Sequence, residues 1–189
     1  MPFINFQLLA TVTLTFTEVN REKSQVATSE RVKFLGFTVV NGTIAIARKA
    51  LQTAMDKVKA LTPRGTDKDM ETSLKSINHW YVGWSDYFSL SQYPAQFVKI
   101  EAHLRRRLRA RLVDQHKRKK FLYRKLIKRG VSPKAAAVTF THRKRWALSK
   151  TVAVSRAYPN AWFKRKGQAI RSDQKLAHWF EVSQWVYLT

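Results

Sequence analysis

The chain has no cysteine and few acidic residues, and both shortages narrow what it can be. Without cysteine there is no disulfide framework and no thiolate ligand for structural zinc, which fits a reducing compartment. Only 12 of the 189 residues are Asp or Glu, against 36 Lys and Arg, so the formal net charge is +24 and the pI about 10.8. The Asp residues stand at 56, 67, 69, 86, 114 and 173, and no two are adjacent. Two-metal phosphoryl transfer needs paired carboxylates, and none are offered in that form. Asp67 and Asp69 instead sit at a predicted helix start, where negative charge complements the helix dipole. The five His (79, 103, 116, 142 and 178) show no ligand spacing, and neither a Gly-rich phosphate loop nor a Ser/His/Asp pattern is present. No catalytic residue, metal ligand or cofactor is therefore expected. Long apolar runs are also missing. The uncharged residues 2–17 are interrupted by polar side chains and lack the basic start and cleavage site of a signal peptide. The expectation is a cytoplasmic protein with no membrane partner.

What is present is a core and a polyanion-seeking surface. With 44% hydrophobic and 12% aromatic residues, the chain can bury a core and is not a disordered basic tail. Its charge is uneven: net +1 over residues 1–43, +2 over 44–98, +12 over 99–129 and +9 over 130–189. Charge of this size speaks about partners, and nucleic acid is the leading one. The near-neutral first half reads as scaffold and the second half as the binding face.

Met70, Leu74, Ile77, Tyr81, Trp84 and Phe88 recur at spacings of four and three, which predicts a helix from about Asp67 to Phe88. Thr66 and Asp69 resemble a capping pair at its start. Trp80 and Tyr87 lie off the stripe and predict burial on a second side. Gly83, mid-helix, costs about 1 kcal/mol relative to Ala, which predicts a close neighbouring backbone. Leu51, Met55, Val58 and Leu61 give an earlier helix over 48–61. Phe97, Ile100, Leu104, Leu108 and Leu112 give a third, opened by Pro94. Three matching stripes make a small bundle.

The third helix also carries Lys99, Arg105, Arg106, Arg107, Arg109 and Arg111. Arginine's planar fork grips phosphate with two hydrogen bonds and stacks on bases, so this helix is the expected binding element. Basic residues continue through Lys117, Arg118, Lys119, Lys120, Arg124, Lys125, Lys128 and Arg129. Gly130 reads as a helix C-cap, and Ser132 with Pro133 as the start of a short Ala-rich helix to about Phe140. Arg143, Lys144 and Arg145 precede Trp146, which reads either as a core anchor or as a base-stacking platform. A further helix is expected over 151–166, and the aromatic tail runs from Leu176 to Leu188.

The first 46 residues read as strands: Thr11 to Phe16, then a hairpin from Arg31 to Ile46 turned by Asn41 and Gly42. Phe34, Leu35, Gly36 and Phe37 fall in the hairpin's first arm, with Gly36 read as a bulge or as room for a backbone or ligand.

Here a family resemblance enters. Asn20, Lys23 and Ser24, followed ten residues later by Phe34-Leu35-Gly36-Phe37, resemble the end of the palm in group II intron reverse transcriptases, where a Phe-Leu-Gly-Phe hairpin is the primer grip. Residues 77–88, with Asn78, Gly83, Trp84, Tyr87 and Phe88, resemble the Asn…Gly-Trp…Tyr-Phe pattern of the thumb, the maturase-specific or X domain. Residues 100–109 resemble the arginine-rich helix after it, and Trp146, Ser149, Ala161, Trp162, Phe163 and Gly167 resemble the family's closing segment. The resemblance covers about residues 18–170. The family's Tyr-x-Asp-Asp turn is missing, and only 19 residues precede Asn20.

The resemblance implies a mainly α fold: a palm remnant with a β-hairpin over 1–46, a thumb-like bundle over 47–129 and a basic helical extension over 130–189. It implies an RNA-binding module that assists intron RNA folding and splicing, with no polymerase activity of its own; Mg²⁺ belongs only to the full-length family enzyme. The expected RNA-binding residues are Arg105, Arg106, Arg107, Arg109, Arg111, Lys117, Arg118, Lys119, Lys120, Arg143, Lys144 and Arg145. Phe34, Leu35, Gly36 and Phe37 are the primer-grip-like set. The expected partner is structured RNA, foremost group II intron RNA. The alternatives are the thumb of a split reverse transcriptase whose palm lies on another chain, and a remnant without activity.

Overall fold

The computed structural model describes residues 33–40 and 42–173. The expected strand at 11–16, the segment at Asn20, Lys23 and Ser24, the turn residue Asn41 and the tail at 176–188 lie outside the described residues. Three strands come first: β1 (Lys33–Phe34), β2 (Phe37–Val40) and β3 (Thr43–Ile46). Nine helices follow among the described residues: α1 (Arg48–Leu61), α2 (Met70–Tyr87), α3 (Pro94–Asp114), α4 (Lys119–Lys128), α5 (Pro133–Ala136), α6 (Val138–Thr141), α7 (Arg145–Leu148), α8 (Val152–Ala157) and α9 (Asn160–Arg165). The expectation of a mainly helical fold with a small amino-terminal hairpin holds.

The sheet is antiparallel in the order β1-β2-β3, with Phe34 opposite Phe37 and Val39 opposite Ile44. Phe34 to Phe37 therefore does not sit within one arm, as the sequence reading had it. Leu35 and Gly36 form a two-residue turn with φ of 50° and 81°, a left-handed pair whose twist suits a hairpin. A Cβ built on Gly36 would lie 3.2 Å from the Phe88 ring. The close neighbour at this glycine is thus the end of α2, and no bulge is involved. Gly36→Ala would add left-handed strain to that crowding, and a loss of about 1–3 kcal/mol is expected, read as a lower denaturant midpoint at unchanged slope.

The outer edge of β3 is closed by two glutamines. The Gln92 backbone N–H donates to Ile44 O (2.9 Å), and its side-chain oxygen accepts from Ile44 N–H (3.0 Å). The Gln96 amide accepts from Ile46 N–H (2.8 Å) and donates to Ile46 O (2.9 Å). The edge backbone groups, which an open strand leaves unpaired, are thereby satisfied and the hairpin is tied to α3.

Asp69 is the N-cap of α2, accepting from Thr72 N–H at 2.9 Å. Thr66 instead accepts from Lys68 N–H at 3.3 Å, so it closes a local turn upstream and α2 starts at Met70. Leu74, Ile77, Tyr81 and Phe88 are buried along the predicted stripe. Trp80 packs against the core from the side, but Tyr87 is exposed, so the second face is only half covered. Among the described residues nothing lies within 4 Å of a Cβ built on Gly83, so the expected close backbone is not found among them.

Ala54 and Val58 of α1, Leu74, Ile77 and Tyr81 of α2, and Ile100, Leu104 and Leu108 of α3 form one core. It continues without a break through Leu122 and Leu126 of α4 to Ala136, Leu148, Val154 and Phe163. Gly130, at φ 81°, closes α4 as expected: its N–H donates to Ile127 O, and Val131 N–H donates to Leu126 O, the paired bonds of a left-handed helix end. The single helices expected to Phe140 and over 151–166 are each two shorter ones. Pro159 accounts for the second break, because proline disfavours a helical residue before it, and Tyr158 sits at φ −129°, ψ 72°.

Candidate nucleic-acid interface

The arginines of α3 do not form one exposed face. Arg105 is buried and pairs with Glu101 at 3.5 Å. Arg107 donates through Nε to Thr62 Oγ1 (2.9 Å) and through Nη2 to Thr62 O (2.9 Å) and Lys59 O (3.4 Å), which secures the carboxy end of α1. Arg109 donates to Tyr158 O (2.8 Å) and Asn160 Oδ1 (3.0 Å) and lies over the Phe163 ring. Arg111 is fully buried and donates to Ser73 Oγ (2.6 Å) and to Lys68 O. Burial pushes the pKa of Arg107, Arg109 and Arg111 down from the usual arginine value. Arg106 alone of the five is exposed. The expectation of a binding face along this helix is thus corrected, because four of its arginines have protein partners.

Arg145 is also internal. Its guanidinium donates to Val113 O (3.1 Å), Asp114 O (3.0 Å), His116 O (2.7 Å) and Lys117 O (2.5 Å), collecting the carbonyls at the end of α3. A cation at a helix carboxy end complements the dipole there. Arg143 and Lys144 are exposed, and Lys119 is exposed with its ammonium on Phe140 O at 2.9 Å.

The free cations gather around α4. An open groove of about 560 Å³ is lined by Gln115, His116, Lys117, Arg118, Phe121, Arg124, Lys125 and Lys128. Among the described residues no carboxylate lines it. Lys117, Arg118, Arg124, Lys125 and Lys128 are exposed and donate no side-chain hydrogen bond to another described residue. Lys120 is exposed on the same helix. Phe121 is 53% exposed among these cations, a flat apolar face beside phosphate-binding charge. Burial first, then Lys125 and Arg145, push the His116 pKa down, so its imidazole is neutral at pH 7. Arg124, Lys125 and Lys128 were noted in the basic run but left out of the expected site. Their exposure beside Lys117 and Arg118 follows from Leu122 and Leu126, which turn the opposite side of α4 into the core.

Trp146 is partly covered and does not belong to the core. Cations surround it instead: Arg106 at 5.7 Å, Arg107 at 5.9 Å and Lys150 at 5.7 Å from the ring centroid. Of the two sequence readings, core anchor is the one the structure overturns.

Two residues that tie the closing segment to the bundle were missed as such. Asn78 donates to Gly167 O (2.6 Å) and accepts from Ala169 N–H (2.9 Å). Glu101, buried in α3, accepts from Tyr81 OH and from the backbone N–H groups of Arg171 and Ser172. At the amino end, Phe34 and Leu35 are 70% and 63% exposed, while Phe37 packs on Tyr87 and Phe88. Among the described residues no helix is long and apolar enough to cross a membrane.

A mainly helical bundle with an uncompensated basic side is the class these features define. Residues 51–130, from within α1 to the cap of α4, match the family model of the group II intron, maturase-specific domain. Over those residues the chain is similar to that domain. No curated protein matches the chain.

Proposed function

We propose that the chain is an RNA-binding module of maturase type, which holds group II intron RNA in a splicing-competent shape. The α4 groove carries this reading: five cations that have no hydrogen-bonding or ion-pair partner among the described residues stand beside an exposed phenylalanine, with no carboxylate of those residues among them, in a segment that matches the maturase-specific domain. Phosphate contacts position a nucleic acid, and an aromatic face between them accepts a base. The RNA-binding residues are Lys117, Arg118, Arg124, Lys125 and Lys128, with Lys119, Lys120, Arg143 and Lys144 as outlying cations. Affinity for group II intron RNA should fall by roughly 0.7–0.9 log units per log unit of salt for each phosphate neutralised. Replacing Arg118, Arg124 and Lys125 together with Gln is expected to flatten that slope by about two to three, as measured by fluorescence anisotropy. A charge-matched control, Lys57→Gln with Lys59→Gln and Lys49→Gln on α1, is expected to leave most of the slope. Equal flattening by the control would mean that net charge alone binds.

A second reading draws on the exposed Phe34 and Leu35: the thumb and primer grip of a reverse transcriptase whose palm lies on another chain. Template-dependent primer extension that appears only when such a palm chain is added would favour it.

A further inference from the structure

A second concavity, of about 440 Å³, lies between α1, α3 and the α7–α8 segment and shares no lining residue with the α4 groove. Lys99, Arg106, Arg109 and Lys150 line it together with His103 and Ser155, and among the described residues no carboxylate does. Three of these cations have partners. Arg109 is fixed by Tyr158 O and Asn160 Oδ1. Arg106 lies over the Trp146 ring from one helix, and Lys150 approaches the same ring from beyond α7. The indole's electron-rich face attracts cations, and this lets the two sit near one another despite their repulsion. Like charges converging in a cleft with low-dielectric walls concentrate positive potential there, and the complement to that potential is a compact anion. His103 adds an imidazole whose pKa is held down by burial and by Arg107 and Arg106, with Asp56 opposing, so at neutral pH it offers a ring N–H without adding to the repulsion.

We infer that this pocket seats a single phosphate group, a backbone phosphodiester of the bound RNA, as a second contact separate from the α4 groove. The inference rests on the RNA-binding reading for the source of the phosphate; the pocket itself stands on its own cations. Trp146 is a positioning residue in it, because it orients Arg106 and Lys150 and does not line the cavity.

The test uses the full chain and two probes. Inorganic phosphate, titrated at constant ionic strength against chloride, should shift the His103 ring resonances in NMR saturably. Lys99→Gln with Lys150→Gln should abolish that shift, and both residues are exposed, so the fold is retained. Trp146→Leu removes no charge and should weaken phosphate binding about two- to fivefold. With RNA as the probe, the Lys99/Lys150 pair should flatten the salt slope by roughly 0.7–0.9, the share of one phosphate, and add to the effect of the α4 triple variant. Oligonucleotides with a 5′-hydroxyl should bind as tightly as those with a 5′-phosphate. A preference for the 5′-phosphate that the pair abolishes would overturn the backbone assignment and make the pocket a chain-end site. If the α4 variant flattens the slope and the Lys99/Lys150 pair does not, the pocket inference fails while the RNA-binding reading stands. If phosphate shifts His103 but neither variant alters RNA binding, the RNA-binding reading fails and the phosphodiester inference fails with it.

Discussion

Glu101→Ala is expected to destabilise the protein by about 3–5 kcal/mol, the cost of leaving a buried charge without its partner. The Glu101 side chain is 2% exposed, and five donors meet its two oxygens. Tyr81 OH (2.8 Å), Arg171 N–H (2.8 Å) and Ser172 N–H (2.9 Å) converge on Oε1, while Ser172 Oγ (2.7 Å) and the Arg105 guanidinium (3.5 Å) reach Oε2. Removing the carboxylate leaves the buried Arg105 cation, the buried Ser172 N–H and the part-buried Arg171 N–H without their acceptor. Burial and the Glu101 charge push the Tyr81 pKa up, so the phenol remains a donor throughout the neutral range. Glu101→Gln keeps the shape and one acceptor oxygen but turns an amide N–H₂ toward Arg105, and about 1–3 kcal/mol of the loss should remain. Urea unfolding gives both numbers. A loss below about 1 kcal/mol for the Ala variant would show that the segment at 171–172 is not docked on α3 in solution. This residue joins α2, α3 and the closing segment, so its loss should also raise hydrogen exchange around Ala169 to Ser172 before the bundle itself opens.

The helices were legible in the sequence because apolar side chains declare their own burial. Leu51, Val58, Leu74, Ile77, Tyr81, Ile100, Leu104 and Leu108 repeat with the helical period, and that period placed α1, α2 and α3, with α2 starting three residues later than expected. The breaks inside the later helices were harder, although Pro159 marked one of them. The partners of charged side chains were hidden. Whether an arginine faces solvent or a carbonyl depends on which distant segment lies opposite, and Arg109 meets Tyr158 and Asn160 from some fifty positions away. Part of the signal was nevertheless present. Glu101 and Arg105 stand at the i,i+4 spacing of an ion pair, beside the buried Ile100 and Leu104. Arg111 follows Leu108 by three and Leu104 by seven, which puts it on the apolar stripe itself. A spacing that identifies a buried leucine identifies a buried arginine equally well, but only if the stripe is followed through charged positions as well as apolar ones. The α4 groove was legible as charge density and not as shape, because Leu122 and Leu126 had to be seen turning inward before Arg124, Lys125 and Lys128 could be seen turning outward.

Arg111→Ala and Arg106→Ala should therefore have opposite consequences, though the two residues lie on the same helix and in the same basic run. Arg111 is 1% exposed; one terminal nitrogen donates to Ser73 Oγ at 2.6 Å, and the other reaches Lys68 O and Asp69 O at the entry to α2. Its fork holds the start of α2 against the end of α3. Truncation removes a fully buried long side chain as well as those bonds, and about 3–5 kcal/mol is expected from the cavity and the lost donors together. Arg111→Lys keeps the charge but cannot span Ser73 and the two carbonyls at once, so most of the loss should persist. Arg106 is exposed and lies over the Trp146 ring, and its removal should change stability by no more than about 0.5 kcal/mol. RNA binding should invert the order. Arg106→Ala should flatten the salt slope by about one, whereas Arg111→Ala, assayed at a temperature where it stays folded, should leave the slope as it was. Thermal unfolding and anisotropy titrations on the same two variants separate the roles. If Arg111→Ala changed the slope and Arg106→Ala changed the stability, α3 would have to be turned relative to the bundle, and the division of its arginines between fold and phosphate would be reversed.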